Sequence, residues 1–452
     1  MKASMSLTNK REPFFLLLGD LVVFSAAIWL MLAVRSLSLP TEADLLSHFV
    51  PFSFLFLVWV AVYFIIGLYE KHTLILKSRI GGMILNAQVT NSLIAVLFFY
   101  LIPYFGITPK TNLFIYLVVS FALILWWRLL VYPGLEVEKK EKAILVGTGS
   151  EMRELEREVN NNSRYGLTFI SSVDIDSILG IDFKEEIVSR IYSEDVSIIA
   201  ADFRNEKVEP LLPYLYNLMF SQVRFVDMHR VYEDIFDRIP LSLVKYSWFL
   251  EHISISAQKG YDIIKRVMDI ILAILLGIPA VLITPFVFLA IKLEDGGQVF
   301  FIQERVGKNN KTIRVIKFRS MKVHFEHDGI AKELITTKVG NFIRRTRIDE
   351  LPQLWNVIKG DLSMIGPRPE IPTLVKFYEK EIPYYNVRHL ITPGLSGWAQ
   401  LYHITPPKFI PGVDETKTKL SYDLYYIKNR SLILDLKVAL RTLKVILSRE
   451  GL

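Results

Sequence analysis

Four long apolar runs in the first third of the chain constrain its fold more than any other feature. They extend over Phe14 to Val34, Phe49 to Leu68, Ile84 to Tyr104 and Leu113 to Val131. Each has about 20 residues, the length that a helix needs to cross about 30 Å of hydrocarbon. The sequence therefore predicts a bundle of four transmembrane helices within residues 1 to 140. Asp20 lies inside the first run, and we expect it to face neighbouring helices or to lie near the interface.

Basic residues around these runs indicate how the helices are oriented. They cluster before the first run, between the second and third, and at or after the end of the fourth: Lys2, Lys10, Arg11, Lys71, Lys77, Arg79, Arg128, Lys139, Lys140 and Lys142. The other two loops carry only Arg35 and Lys110. The positive-inside rule therefore predicts that both ends of the bundle lie in the cytoplasm. A cleaved signal peptide is the alternative for the first run, but no small-residue cleavage site follows it.

Composition excludes several classes of protein. Of the 452 residues, 51% are hydrophobic and 22% are charged, which is too apolar for a soluble enzyme of this size. The absence of cysteine excludes disulfides, a thiolate nucleophile, iron–sulfur clusters and cysteine-ligated zinc. The net charge is +4 over residues 1 to 140, −8 over 141 to 295 and +11 over 296 to 452. The basic last third indicates a membrane surface or phosphorylated ligands as partners.

The middle of the chain has the pattern of an α/β domain. Ala143 to Val146 is typical of a buried strand, and Gly147-Thr148-Gly149-Ser150 and a charged helical segment follow it. Further strands are predicted at Thr168 to Val173, Val196 to Ala200 and Gln222 to Val226. The glycine fingerprint of dinucleotide-binding domains is incomplete, because Met152 occupies the third glycine position. We predict a Rossmann-like cytoplasmic domain over residues 141 to 258 that serves assembly or regulation rather than redox chemistry.

A fifth apolar run extends over Ile270 to Ile291, and Thr284-Pro285 interrupts it. Proline removes a backbone donor and bends a helix, and the Thr284 hydroxyl is able to bond a freed carbonyl. The sequence therefore predicts a re-entrant membrane helix-hairpin over residues 259 to 295, broken at Thr284 and Pro285. The alternative is an ordinary transmembrane helix with a proline kink, which would place the basic domain outside the cell.

An acidic pair surrounded by arginines is the strongest candidate for chemistry. Asp349 and Glu350 open an amphipathic helix whose apolar side carries Leu351, Leu354, Val357 and Ile358, and Gly360 is its predicted end. Arg344, Arg345 and Arg347 precede the pair, and Arg368 lies between two prolines. Helix capping and simple salt bridges are the alternatives. So many guanidinium groups suit a diphosphate better than they suit two carboxylates.

The order of these motifs is similar to that of a known family. The relevant blocks are Glu304 to Gly307, Lys317 to Met321, Arg344 to Asp361, Ile365 to Pro369, Pro393 to Gln400 and Asp423 to Asn429. With them the chain resembles the monotopic phosphoglycosyl transferases, specifically the long bacterial polyprenyl-phosphate sugar-1-phosphate transferases. The resemblance covers the whole chain in architecture, and its specific motifs lie within residues 260 to 450. It implies an α/β catalytic domain over residues 296 to 452.

The resemblance implies roles for particular residues. Asp349 would attack the sugar-linked phosphate of a UDP-sugar, releasing UMP and forming a covalent aspartyl phosphosugar that undecaprenyl phosphate then attacks. Glu350 would help to hold Mg²⁺, or Mn²⁺ in its place. Arg344, Arg368, Arg319 and Lys317 would bind phosphate, and the implied nucleotide-sugar contacts are Arg305, Arg388, Gly394, Gly397 and Gln400.

The resemblance also implies a cellular setting. It indicates a homodimer in the bacterial inner membrane, with the active site on the cytoplasmic face among membrane lipids, at the start of capsule, exopolysaccharide or O-antigen synthesis. Leu432 to Leu447 has the spacing of an interfacial amphipathic helix, for which a soluble core helix is the alternative.

The sequence departs from the family pattern at two places. Leu401 to Ile404 replaces an asparagine-glycine-arginine type run, so the donor-sugar contacts there are open, with glucose, galactose and N-acetylated dideoxy sugars all compatible. Thr284 replaces the usual serine and keeps the hydroxyl.

The same residues are compatible with other functions. A membrane-embedded, nucleotide-sensing regulator of polysaccharide export without catalysis is the main alternative, and it predicts that Asp349→Asn leaves function intact. A nicotinamide-dependent activity of the middle domain is disfavoured by the incomplete glycine fingerprint. Nucleic-acid binding is disfavoured because the basic third has no helix-turn-helix, zinc site or aromatic RNP motif.

Overall fold

The structure is a computed structural model that describes residues 12–69, 77–102, 109–132, 140–162, 165–177, 190–191, 193–221, 223–253, 259–325, 331–402 and 412–448. The chain forms two compact units, Met1–Ile235 and Phe236–Leu452. The sequence predicts a domain boundary at residue 258, some 20 residues later. The earlier boundary has a clear cause, because Ile239, Val244 and Trp248 are buried in one hydrophobic core with Trp398 and Tyr426 of the second unit.

The four apolar runs of the first unit form long helices, as predicted. These are α1 (Glu12–Ser36), α2 (Glu42–Ile66), α3 (Lys77–Leu101) and α4 (Pro109–Trp126), the last continued by a π-helical turn, Trp127–Val131. Aromatic side chains from three of the helices meet in their shared core, where the ring centroids of Phe24 and Trp59 are 5.5 Å apart and those of Trp59 and Tyr116 are 5.2 Å apart. Among the described residues, five helices are long and apolar enough to cross a membrane, these four and a later one. The chain is therefore a membrane protein.

A buried ion pair joins the first and last of these helices. The Arg128 guanidinium donates through Nε to Asp20 Oδ1 at 3.2 Å and through Nη1 to the Leu68 carbonyl at 2.6 Å. The Tyr69 hydroxyl donates to the other Asp20 oxygen at 2.8 Å. Asp20 therefore faces neighbouring helices, as predicted. Arg128, which the sequence analysis counted among the orienting cytoplasmic charges, is instead buried as the partner of Asp20.

Replacing Arg128 by leucine is expected to destabilise the first unit by about 3–5 kcal/mol, because it leaves the Asp20 carboxylate buried without a counterion. The double variant Asp20→Leu with Arg128→Leu is expected to recover much of this loss, since neither charge then remains. Thermal unfolding in detergent measures both. A single variant as stable as the wild type would show that the pair is not a structural link.

The α/β part of the first unit is a four-stranded parallel sheet of order β2-β1-β3-β4. Its strands are β1 (Glu141–Gly147), β2 (Leu167–Asp174), β3 (Ile198–Ala201) and β4 (Arg224–Asp227), each overlapping a predicted strand. The helices are α5 (Gly149–Asn161), α6 (Leu212–Asn217) and α7 (Met228–Phe236). A β-carbon on Gly147 would lie 2.9 Å from the Met228 sulfur, so the first glycine of the incomplete fingerprint allows close side-chain packing.

In the second unit, the short helix α8 (Tyr246–His252) is followed by a helix of 37 residues. This helix, α9 (Lys259–Asp295), would be about 55 Å long if straight. Ala273, Ala280, Val287 and Ile291 form a buried stripe along it. The opposite side exposes large apolar side chains, such as Leu282 and Phe286, which are 67% and 75% exposed. The helix therefore has one side against protein and an apolar side without protein cover in the described chain.

Both prolines of α9, Pro279 and Pro285, lie inside a continuous helix. The predicted break at Thr284 and Pro285 therefore does not divide the segment into two helices. The Thr284 hydroxyl donates to the Ala280 carbonyl at 2.8 Å. Pro285 has no N–H to donate to the carbonyl four residues earlier, which is that of Val281. The Thr284 hydroxyl does not bond this freed carbonyl but the adjacent one, that of Ala280.

The remaining elements close over the buried stripe of α9. Two antiparallel hairpins come first, β5 (Phe300–Val306) with β6 (Thr312–Phe318) and β7 (Met321–Phe325) with β8 (Ala331–Thr336). Then follow α10 (Lys338–Arg345), α11 (Gln353–Lys359), β9 (Ser363–Ile365), α12 (Pro372–Glu381), β10 (Gly394–Ser396), α13 (Trp398–Tyr402), α14 (Val413–Asn429) and α15 (Leu432–Ser448). Strands β9 and β10 pair in parallel. Two apolar clusters join α9 to β6, α10 and α11, so the helix is part of the core of this unit.

Candidate active site

The acidic pair lies in a single 3₁₀ turn, Ile348–Glu350, between α10 and α11. Arg347 precedes the turn with φ of 57°, in the left-handed region that few residues other than glycine adopt. This conformation turns the chain sharply after α10. Helix α11 then ends at Gly360, as predicted, with its Leu354 and Val357 side chains buried. The pair therefore precedes α11 and does not form its first turn.

Glu350 is held by three cations. Its Oε1 atom accepts hydrogen bonds from Lys317 Nζ at 2.9 Å and from Arg368 Nη2 at 3.1 Å, and Arg347 Nη1 lies 3.8 Å away. Burial alone would raise the pKa of Glu350, but the charges of Arg368, Lys317 and Arg347 outweigh it and lower the pKa to about 2. Glu350 is therefore a permanent anion in the physiological range.

Asp349 has the opposite environment. It is only 8% exposed, and its Oδ1 atom is buried without a hydrogen-bond partner in the described part of the chain. Burial raises the pKa of Asp349, the charge of Glu350 adds to this, and Lys317, Arg347 and Arg344 oppose it. Two adjacent carboxylates with pKa values moved in opposite directions indicate different chemical roles. An unpaired buried oxygen is one that is available to a substrate atom.

Three parts of the fold bring this site together. Lys317 projects from β6, and Arg368 lies in the loop after β9 between Pro367 and Pro369. Burial lowers the pKa of Lys317. The acidic pair comes from the turn before α11. The sequence predicted both cations as phosphate ligands, and the structure brings both to the acidic pair.

Arg388 lies behind Arg368 and supports it. Its Nη2 atom donates to the Arg368 carbonyl at 3.0 Å and lies 2.8 Å from Asp423 Oδ2, and its Nη1 atom donates to the Tyr385 hydroxyl at 2.6 Å. Both Arg388 and Asp423 are buried. The structure therefore places Arg388, predicted as a nucleotide-sugar contact, where its guanidinium binds the backbone carbonyl of Arg368.

The other predicted cations are placed differently. Arg319 forms an ion pair with Asp295 at the end of α9, and it does not contact Glu350 in the described chain. Arg305 donates to Gln303 Oε1 at 2.6 Å and to the Pro369 carbonyl at 3.2 Å, so it braces the loop that carries Arg368. Arg344 is exposed at the end of α10. Its charge counts among those that lower the pKa of Asp349.

The glycine-rich block is needed for backbone packing. A β-carbon on Gly394 would lie 2.1 Å from the Gly366 nitrogen, and one on Gly397 would lie 2.4 Å from the Gly366 oxygen. Neither glycine has a positive φ. These two glycines, implied by the resemblance as nucleotide-sugar contacts, approach the backbone of the segment that leads into Arg368. Gln400 has a buried Oε1 without a hydrogen-bond partner among the described residues.

One positioning residue was missed by the sequence analysis. Asn356 of α11 accepts from the Ile316 amide at 3.2 Å and donates to the Arg314 carbonyl at 2.7 Å. These bonds fix β6, and with it Lys317, against the helix that follows Glu350. A polar residue between Leu354 and Val357 on the buried side of α11 was the available signal.

Part of the predicted donor-sugar region lies outside the described residues. The structure describes Leu401 and Tyr402, whereas residues 403 to 411, which include His403 and Ile404 of the departing block, are not described.

The acidic pair fits a magnesium ion only in combination with other oxygen ligands. Within the described residues, no group of three or more histidine, aspartate or glutamate side chains is placed to hold a metal ion. Mg²⁺ commonly binds through one or two carboxylates together with substrate phosphates and water. The unpaired Asp349 oxygen and the Glu350 carboxylate meet that requirement once a phosphorylated ligand is present.

Comparison with known proteins gives concordant findings. The family model described as bacterial sugar transferase matches residues 260–449. The UDP-N-acetylgalactosamine-undecaprenyl-phosphate N-acetylgalactosaminephosphotransferase of Aeromonas hydrophila is 46% identical over 198 residues, which are 42% of this chain and 45% of that protein. The exopolysaccharide production protein PSS of Rhizobium leguminosarum bv. phaseoli is 37% identical over 198 residues, which are 41% of this chain and 96% of that protein.

A longer but weaker similarity extends beyond this region. The UDP-galactose-lipid carrier transferase of Erwinia amylovora is 27% identical over 350 residues, which are 69% of each chain. In contrast, the match to the Aeromonas hydrophila protein spans less than half of that protein's length. The strongest similarity therefore coincides with the unit that contains the acidic pair.

Proposed function

The chain belongs to the bacterial sugar transferase family, and we propose that it transfers a sugar 1-phosphate from a UDP-sugar to undecaprenyl phosphate. The observation that carries this proposal is the asymmetric acidic pair. Glu350 is fixed by Lys317 and Arg368, while the neighbouring Asp349 keeps a buried oxygen without a partner in the described chain. Such a site presents one nucleophilic oxygen inside a cationic rim that suits phosphate.

The reaction has two displacements at one phosphorus atom. An Asp349 oxygen attacks the phosphorus that carries the sugar, and the bond from that phosphorus to the bridging oxygen breaks, which releases UMP. An oxygen of the lipid phosphate then attacks the same phosphorus and releases the Asp349 carboxylate. Both transition states place negative charge on the phosphoryl oxygens, and Lys317, Arg368 and Arg344 provide fixed positive charge near them.

Mg²⁺ held by Glu350 and Asp349 together with donor phosphates would neutralise charge on the diphosphate. Glu350 is already paired with cations. The negative charge of the donor diphosphate is therefore needed to offset the positive charge of a further cation at this site. We therefore propose that Mg²⁺ binds with the nucleotide-sugar.

The placement of α9 supports a site at the membrane surface. Arg266 near its start donates to the Val357 and Ile358 carbonyls at 2.6 and 2.7 Å, and Glu294 near its end accepts from the Lys338 amide at 2.6 Å. Elements of the second unit therefore contact α9 near both of its ends. If α9 crossed the bilayer, the charged residues of these elements would lie in hydrocarbon, at a cost of several kcal/mol each. We propose that α9 enters and leaves the membrane on one face.

The rest of the chain fits a role at the inner membrane. Helices α1 to α4 are proposed to form the transmembrane bundle, and the parallel sheet to form a cytoplasmic Rossmann-like domain for assembly or regulation. Helix α15 buries Leu434 and Val438 and exposes Ile433 and Leu436, which suits an interfacial helix. The product would start a surface polysaccharide such as capsule, exopolysaccharide or O-antigen.

Cysteine labelling is expected to show both units on the cytoplasmic side. The chain has no cysteine, so Lys207→Cys and Asp414→Cys, at side chains 63% and 96% exposed, each create a single reactive site. A membrane-impermeant maleimide is expected to label both in inverted vesicles and neither in intact cells. Labelling of Asp414→Cys alone from outside intact cells would show that α9 crosses the membrane.

The rate is expected to depend on pH through Asp349 and Lys317. The Asp349 carboxylate must be ionised to attack, and its pKa is raised above 3.8, so kcat/KM falls as pH falls through a value above 3.8. The pKa of Lys317 is lowered below 10.5, so kcat/KM falls again as pH rises through a value below 10.5. Glu350 stays ionised across this range. A pH profile measures both limbs, and Lys317→Arg is expected to remove the basic limb. A wild-type profile without an acidic limb above pH 3.8 contradicts the assignment.

A direct assay tests the proposed function. Membranes that contain the protein are incubated with undecaprenyl phosphate, Mg²⁺ and a panel of UDP-sugars labelled in the sugar. We expect label in the organic phase with one or a few donors, in an acid-labile diphosphate product, and an equimolar amount of UMP. Release of UDP, or label without lipid dependence, would refute the proposal, since UDP release means that only the sugar was transferred.

A further inference from the structure

We propose that an apolar cavity next to the acidic pair holds the isoprenoid chain of the lipid acceptor. The inference rests on the proposed function and adds to it the part of the protein that recognises the acceptor's chain. It concerns the second unit alone.

The cavity lies between α9, the β5-β6 hairpin and α11. Its volume is about 490 Å³, within the range of about 300–1,000 Å³ that is usual for small-molecule sites. Gly277 and Val281 form its wall on α9, Ile302 and Ile316 form it on the hairpin, and Trp355 forms it on α11. The volume is sufficient for part of a long hydrocarbon chain, and the rest of such a chain would extend into lipid.

The cavity wall selects an apolar occupant. Among its lining side chains, the one hydroxyl is that of Thr284, and it already donates to the Ala280 carbonyl. Apart from the Trp355 indole N–H, the side chains of this wall offer a polar ligand no free group to replace its bonds to water. A branched hydrocarbon makes no hydrogen bonds to water, so it loses none when it enters the cavity.

The cavity wall adjoins the acidic pair and Lys317 along the chain. Leu351, which directly follows Glu350, forms part of the wall. Ile316 and Phe318 also line it, and Lys317 between them on β6 reaches Glu350 from the other face of the strand. A ligand that consists of an apolar chain and one terminal phosphate matches this order of apolar wall and cations.

The cavity also continues into the apolar surface of the protein. Val281, Ile302 and Trp355 line the cavity and are nevertheless 71%, 57% and 62% exposed. Tryptophan at such a position is typical of the boundary between lipid and water. The cavity is therefore open toward the side that α9 presents to the bilayer, from which a membrane-bound acceptor arrives.

Gly277 provides a precise test. No described atom lies within 4 Å of the position of a β-carbon on Gly277, so a leucine side chain there enters the cavity without a clash at its first atom. Gly260, in the same helix, has the same open environment and does not line the cavity. Both substitutions replace a helical glycine by a better helix former, so neither is expected to impair folding.

Steady-state kinetics with long and short acceptors measure the effect. Gly277→Leu is expected to raise KM for undecaprenyl phosphate about tenfold, because the new side chain occupies space that the isoprenoid chain would fill. The KM for the UDP-sugar is expected to stay unchanged, and so is the KM for a two-isoprene acceptor phosphate, whose chain is too short to fill the cavity. Gly260→Leu is expected to leave all three constants unchanged. An unchanged KM for undecaprenyl phosphate in Gly277→Leu, or an equal rise in Gly260→Leu, would overturn the inference.

A binding experiment that does not depend on turnover distinguishes the sources of an apolar chain. A polyprenyl phosphate with a photoreactive group beyond its second isoprene unit is expected to label the peptides that contain Ile302 or Trp355. Undecaprenyl phosphate is expected to compete, and phosphatidylglycerol at the same concentration is not. Equal competition by phosphatidylglycerol would overturn the inference in favour of a general lipid groove. A wild-type protein that labels as expected but transfers no sugar phosphate would refute the proposed function and leave the cavity assignment standing.

Discussion

Asp349→Asn is expected to lower kcat by at least about a thousandfold, because an amide oxygen is a poor nucleophile and leaves phosphoryl transfer without its first acceptor. The fold is expected to remain intact, since the Asp349 Oδ1 atom makes no hydrogen bond in the described chain that the amide would break. The measurement is transfer of labelled sugar phosphate to undecaprenyl phosphate. A second measurement is mass spectrometry of the wild type incubated with donor alone, in which the phosphosugar adduct is expected on the peptide that contains Asp349.

The matched control is Asp414→Asn, which changes the same functional group on a side chain that is 96% exposed. It is expected to retain wild-type activity. If Asp349→Asn transferred sugar phosphate at the wild-type rate, Asp349 would not be the nucleophile. If the wild type had no measurable transferase activity and Asp349→Asn still supported polysaccharide export in cells, the protein would be a regulator without catalysis.

Glu350→Gln is expected to lower kcat/KM by about 100- to 1,000-fold, the effect typical of removing one electrostatic element from an active site. The substitution leaves Lys317, Arg368 and Arg347 without the anion that holds them together. It also removes one of the two carboxylates proposed to hold Mg²⁺. We therefore expect a higher Mg²⁺ concentration for half-maximal rate, measured by metal titration at saturating donor.

The control for this variant is Glu379→Gln, a change of the same kind at an exposed position of α12. Thermal unfolding of both variants separates a loss of function from a loss of fold. Wild-type kcat/KM in Glu350→Gln would show that the cation cluster does not need this carboxylate. A reduced kcat/KM with an unchanged Mg²⁺ dependence would place Glu350 in phosphate organisation and not in metal binding.

The parts of the fold that follow local periodicity were predicted well from the sequence. Helices α1 to α4 correspond to the four apolar runs, and the four parallel strands overlap the predicted ones, because hydrophobic length and alternation are local properties. The extent of the second unit was not predictable in the same way. Trp248 is buried beside residues about 150 positions away, and no local pattern reports such a contact.

The candidate site shows the same division. The density of charge around Asp349 and Glu350 was visible in the sequence, and Lys317 and Arg368 do meet Glu350. Which arginines face a substrate was not visible. Arg388 and Arg319 are matched by Asp423 and Asp295, and a charge alone does not reveal its distant partner. Asn356 was missed because it acts through two hydrogen bonds to the backbone of β6, and a sequence does not show which distant backbone groups a side chain bonds.

The buried stripe of α9 has a consequence for how this protein is made. Ala273 and Ala280 contribute to one apolar cluster, and Val287 and Ile291 to another, and both clusters are completed by elements that follow in the chain. During translation α9 emerges first, so we expect the later elements to condense on a helix that is already lodged at the bilayer. A fragment that begins at residue 296 would lack two walls of its interior, and we expect it to aggregate when synthesised without this helix.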